Sequence, residues 1–182
     1  MKSLQKTIYF TLLLFLSSCS DNLNFDQLDD VVITPVYTSS LAYFTILPIQ
    51  FFDETGTIQQ SEISDVSGFR VFENDYLKNN LIKLDFNVEI KNEFDRDFTI
   101  NVEFLDDNNN VTYKFSPLNI ESSNLNYLYI EEIDVLANQN IKNTTHVKIN
   151  ARLENSTSPL NSNGTSEFEF KSAVTLYIEK GI

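Results

Sequence analysis

Between positions 81 and 91 the chain alternates without a break. Ile82, Leu84, Phe86, Val88 and Ile90 are apolar, and Lys83, Asp85, Asn87, Glu89 and Lys91 are polar. Successive side chains on a β-strand point to opposite faces, so this run reads as a half-buried strand with one dry and one wet side. The pattern recurs. Phe98, Ile100, Val102 and Phe104 alternate with Thr99, Asn101 and Glu103, the polar stretch 106–110 turns the chain, and Val111, Tyr113 and Phe115 return as the second arm of a hairpin. Val147, Ile149, Ala151 and Leu153 predict another strand. Phe168, Phe170, Val174, Leu176 and Ile178 predict a long last one after the polar loop 154–166.

Less regular stretches fill the intervals. Residues 40–47 and 66–72 are rich in strand formers. Residues 125–133 are apolar on both faces, with Tyr127 and Tyr129 on one and Leu128 and Ile130 on the other. Residues 136–144 allow a helical turn or two, and helical periodicity is otherwise missing. A set of short strands with one dry face and no strand–helix–strand rhythm predicts an all-β, antiparallel β-sandwich of about 7–9 strands. With 15 Phe and 8 Tyr the chain has the apolar area for a core, and its one cysteine leaves no internal disulfide to staple it.

That cysteine, Cys19, ends a leader with Lys2 and Lys6, the apolar run IYFTLLLFL (8–16) and Ser17-Ser18. A basic start, a short apolar middle and small residues before a cleavage point make a secretory signal, and the apolar run of 9 residues falls well short of a membrane-spanning helix. The segment Leu16-Ser17-Ser18-Cys19 resembles the lipobox of bacterial lipoproteins. The resemblance implies cleavage after residue 18, lipidation of Cys19 and an outer-membrane anchor. The following Cys19-Ser20-Asp21-Asn22-Leu23 resembles the Ser/Asp-rich export signals of Bacteroidota surface lipoproteins, with Asn22 where a second acid is usual. Periplasmic and outward-facing leaflets therefore both stay open. The expected organisation is a signal peptide at 1–18, a lipidated Cys19 with an acidic tether to residue 30, and one sandwich domain at 31–182. The segment VEIKNEFDRDFTINVEF (88–104) resembles two strands of immunoglobulin-like and late-embryogenesis-abundant-type sandwiches, which implies an immunoglobulin-like arrangement.

The formal net charge is −13, with 26 acidic residues against 13 basic. Removing Lys2 and Lys6 with the leader leaves 11 basic residues, a balance of −15. Such a chain is a poor partner for nucleic acid and for anionic lipid headgroups, both of which select basic patches. Four scattered glycines form no phosphate cradle, so no nucleotide or other cofactor is expected.

Catalytic constellations are equally thin. His146 is the only histidine and stands at the start of a strand with no nucleophile or acid placed for it. Asp95 and Asp97 bracket Arg96 in a strand connection, where acids are ordinarily solvated. Asp106, Asn108 and Asn110 match the first three ligand positions of a calcium loop, yet Val111 and Pro117 stand where the turn glycine and the bidentate acid belong. They form a weak calcium candidate that a five-residue polar turn explains equally well. Asn-x-Ser/Thr triplets at Asn110, Asn143, Asn155 and Asn163 are what an Asn-rich chain produces by chance. Aromatic residues remain as candidate partner-binding groups. Tyr127 and Tyr129 would lie exposed if Leu128 and Ile130 filled the core, or covered in a central strand. Tyr43, Phe44, Phe51 and Phe52 surround Pro48, which belongs at a sheet edge. The expected function is a non-catalytic envelope lipoprotein that docks onto an envelope protein partner. The alternatives are a surface module for glycan or another ligand and, behind it, a small hydrolase.

Overall fold

The computed structural model describes residues 31–57, 59–154 and 159–181. The leader, Cys19 and the tether lie outside the described residues. The chain divides into two compact units, residues 1–33 with 181–182, and Thr34–Lys180. Of the first unit the described residues hold the short strand β1 (Val32–Ile33) and the end of β11 (Lys180–Gly181).

The second unit is an all-β sandwich, as the alternation predicts. Its strands are β2 (Val36–Ile46), β3 (Glu62–Gly68), β4 (Leu81–Asn92), β5 (Phe98–Leu105), β6 (Val111–Lys114), β7 (Leu118–Ile120), β8 (Tyr127–Asp134), β9 (His146–Leu153) and β10 (Phe168–Ile178). One short helix, α1 (Asp75–Asn80), precedes β4, with the Asn74 side chain accepting from the Leu77 amide at its start. Sheet I runs β2-β10-β4-β8. Sheet II runs β3-β9-β5-β6, with β7 also on β5. Every pairing within these two sheets is antiparallel.

The pairings reveal how the chain is wound. The outermost strands β2 and β10 pair, then β3 with β9, then β4 with β8, and β5 closes the series with β6 and β7. One long antiparallel ribbon is therefore rolled over two sheets, the winding of a jelly roll. The immunoglobulin-like resemblance rested on two strands, and two strands do not determine which distant segments pair.

The dry faces meet in one core. Phe86 of sheet I packs edge-on to Phe104 of sheet II at 5.8 Å, and Phe168 lies 4.4 Å from Phe98. Leu84, Phe86, Val88 and Ile90 are buried as their alternation requires, as are Phe98, Ile100, Val102 and Phe104. Pro48 opens a 3-10 turn (Pro48–Phe51) directly after β2, which is an edge strand of sheet I. That edge also carries a bulge. Ser172 pairs with Ala42 and Ala173 with Ser40, so Leu41 is the extra residue. The buried Ser172 hydroxyl accepts the Ala42 amide at 3.1 Å and so satisfies the backbone beside the bulge.

Candidate functional site

Strand β8 is where the molecule departs most from an ordinary guarded surface. It is one of the two outer strands of sheet I and pairs with β4 through eight residues without a register shift. Ile133 is fully buried and fixes the phase, so Tyr127, Tyr129 and Glu131 point inward with it, while Leu128, Ile130 and Glu132 point outward. Leu128 is 67% exposed and Ile130 is 55% exposed. Leu125 and Leu136, flanking the strand, are exposed too.

This facing corrects the expectation of an exposed tyrosine patch, and β8 is not a covered central strand either. Both tyrosines are half-buried against the core, and Tyr129 lies 6.3 Å from the Phe115 ring. A tyrosine suits the rim of a sandwich because its ring can pack while its hydroxyl reaches a polar partner. Here that partner is Glu131. Its carboxylate accepts one phenol from Tyr129 and, at 2.7 Å, one from Tyr113 of β6, which joins sheet I to sheet II.

Hydrogen bonding to the Glu131 carboxylate, assisted by burial, pushes the Tyr129 phenol up to about 12. Burial first and Glu131 second push Tyr113 higher still. A phenol whose pKa is raised by folding stabilises the native state below its unfolded pKa of about 10, and that contribution disappears as pH rises through the folded value. Ultraviolet titration of the phenols should therefore show a late-ionising component from Tyr113 and Tyr129, with stability falling from about pH 10 to 12. In Glu131→Gln the Tyr129 midpoint should drop toward 10, because the amide bonds the phenol without charge. An unchanged late titration in that variant would contradict the clamp.

The other aromatic candidates do not form one surface. Phe51 is fully buried against Phe94 and Phe98, so it cannot meet a partner, and Phe52 is half-buried. Phe44 is half-buried and stacks on its cross-strand neighbour Phe170 at 4.9 Å. Tyr43 alone is open, 65% exposed, with its hydroxyl donating to Glu169 at 3.2 Å and Lys171 over its ring.

The calcium candidate is consumed by its own turn. Asp106 Oδ1 accepts the amides of Asn108 and Asn110, and Oδ2 accepts the Asn110 side chain at 2.9 Å. These donors hold the Asp106 carboxyl below its ordinary range, the Asn110 side chain foremost. Asn109 takes the left-handed conformation the turn needs, at φ 62°. Both carboxylate oxygens face N–H donors, where a cation would need them free. Among the described residues no cluster of three or more His, Cys, Asp or Glu is placed to hold a metal. His146 bonds the neighbouring Thr145 hydroxyl. Asp95 pairs with Arg96 at 3.3 Å, while Asp97 accepts the Ser122 amide, so the two acids serve different loops.

Sequence reasoning missed one polar keystone. Asn92 is fully buried at the end of β4. Its amide nitrogen donates to the carbonyls of Arg96 and Glu121, at 2.8 and 2.9 Å, and its oxygen accepts the Phe94 amide at 3.0 Å. One side chain thus ties the 92–97 corner to the loop before β8.

No family model matches the sequence, and no curated protein matches it. Among solved structures, a candidate secreted protein from Parabacteroides distasonis is similar at 19% identity and TM-score 0.48, over 62% of this chain and 38% of that one. An infectious bursal disease virus structure is similar at 8% identity and TM-score 0.43, over 80% of this chain and 32% of the other. The enzymatically active domain of bacteriophage CBA120 tailspike protein 4 is similar at 11% identity and TM-score 0.40, over 80% of this chain and 19% of its own. The chain thus spans less than two fifths of each of these relatives.

Proposed function

We propose that this chain is a non-catalytic lipoprotein of the bacterial outer membrane, held by an acylated Cys19, whose sandwich docks onto another envelope protein through the flank of β8. The carrying observation is a contrast among sheet edges. Exposed edges invite pairing with other chains, and proteins guard them with bulges, charges, prolines or short length. The β2 edge has its bulge and Pro48, β3 carries Glu62 and Asp65, and β6 and β7 are four and three residues long. The half of β8 after Glu131 is acidic. Positions 127–130 have none of these devices and present two branched apolar side chains to solvent.

The lipobox resemblance of the leader supports the anchor. Among the described residues no helix is long and apolar enough to cross a membrane. The absence of a converging nucleophile and base among the described residues favours docking over hydrolysis. Replacing Leu128 and Ile130 with lysine together should leave folding intact and remove a stoichiometric partner from the protein isolated out of native membranes. Retention of the same partner at the same stoichiometry would rule out the β8 flank as the contact.

A further inference from the structure

The wet face of sheet I carries a groove that runs across the strands. The pairing registers align Ser40, Ala173, Asn87 and Ile130 in one row, one residue from each of β2, β10, β4 and β8. The next row is Tyr43, Lys171, Glu89 and Leu128, and the row on the other side is Thr38, Thr175, Asp85 and Glu132. Small residues at the β2 and β10 positions sink the middle row below its neighbours. The resulting hollow has a volume of about 400 Å³ and is lined from Ser40 on β2 to Leu128 and Ile130 on β8. Four strands about 4.8 Å apart give it a length of about 14 Å.

The geometry points to a binding site for a neutral oligosaccharide of two to three rings in this groove. Its direction excludes a peptide strand as the natural occupant, because a strand adds along an edge and this hollow crosses the sheet. Its floor and end wall are apolar, supplied by Ala173, Leu128 and Ile130, and suit the C–H faces of sugar rings. Its polar groups are the mixed set that hydroxyls need. The Asn87 amide carbonyl accepts no hydrogen bond among the described residues, and its nitrogen reaches Thr175 at a long 3.4 Å. Glu89 makes no direct hydrogen bond or ion pair among the described residues. Lys171 is committed to Glu169 at 2.5 Å, and Lys83 to Asp85 at 3.0 Å and Glu132 at 3.3 Å. An anionic ligand would therefore meet carboxylates and no uncommitted cation, whereas a neutral polyol meets acceptors and donors on both sides. The β8 end of the groove shares Leu128 and Ile130 with the proposed docking flank, whereas Asn87 and Ala173 lie on β4 and β10, so variants there test the groove separately from docking.

Ala173 is half-buried on the wet face, so a larger side chain there fills the groove without entering the core. The test uses the full chain in zwitterionic detergent and titration calorimetry with maltotriose, cellotriose, xylotriose, mannotriose and, as the anionic probe, trigalacturonate. At least one neutral trisaccharide should bind saturably with a Kd between about 1 μM and 1 mM. Ala173→Leu should weaken that binding about tenfold or more, and Asn87→Ala about fivefold, with melting temperatures close to the parent's. The site is refuted if no neutral trisaccharide binds at about 10 mM, if Ala173→Leu leaves binding unchanged, or if trigalacturonate binds more tightly than the neutral sugars. If Ala173→Leu proves unstable, Ser40→Leu at the opposite end of the row makes the same test on an exposed edge strand.

Discussion

Phe104→Ala should reduce the unfolding free energy by about 3–5 kcal/mol, enough to leave a domain of ordinary stability, about 5–15 kcal/mol, close to unfolding at the low end of that range. Phe104 sits on β5 and is fully buried. Its ring contacts Phe69 at 5.4 Å, Phe86 at 5.8 Å, Phe115 at 5.8 Å and Tyr113 at 6.2 Å. Phe86 belongs to sheet I and the β5–β6 hairpin to sheet II, so the ring couples the two layers rather than packing within one. Truncation removes the transfer free energy of the ring and leaves a cavity whose aromatic walls cannot all close in. Phe104→Leu keeps much of the volume and should cost roughly 1–2 kcal/mol. Equilibrium denaturation in urea measures both. A cost below about 1 kcal/mol for the alanine variant would mean that the ring is not at the junction of the sheets.

Asn92→Ala should cost about 2–4 kcal/mol, although the side chain touches no apolar cluster through its polar end. The substitution deletes three hydrogen bonds and strands the carbonyls of Arg96 and Glu121 and the amide of Phe94 at a buried corner. An unmet buried polar group costs more than the bond was worth in net terms. Asn92→Asp gives the sharper test. It keeps an acceptor for Phe94 but turns a carboxylate toward two carbonyl oxygens, so it should be at least as destabilising as alanine at neutral pH. Its stability should recover partly in acid, when the carboxyl gains a proton to donate. An aspartate variant as stable as the parent at pH 7 would show that Asn92 does not donate at both carbonyls.

The strands were legible because a half-buried strand writes its facing into the sequence every second residue. Residues 81–91 and 98–104 needed nothing more. The turn at 106–110 was legible as a turn, and Asp106 shows why: an aspartate that collects the amides of residues two and four ahead is a local device. The jelly-roll winding was not legible. Pairing β2 with β10 joins segments more than a hundred residues apart, and nothing local to either one states the register. The facing of β8 had a readable signal that the tyrosines obscured. Ile133 and Val135 continue the odd-numbered face and both are buried, which assigns Tyr127 and Tyr129 to the interior. The intervening Leu128 and Ile130 look like better core residues by composition, and only a rim with Glu131 and Tyr113 in reach makes tyrosine the better choice. Asn92 was not legible, because its role depends on residues 96 and 121 converging on it, which is a property of the folded corner.

The most direct test of a docking role is site-specific photocrosslinking in intact cells, with the crosslinker at Ile130 on the β8 flank and, as the control, at Val66 on the equally exposed outer edge strand of sheet II. A single protein species joined at position 130 and missing at 66 is the predicted result. Equal or absent crosslinking at the two positions would contradict the assignment of the β8 flank as the face this protein presents to its partner.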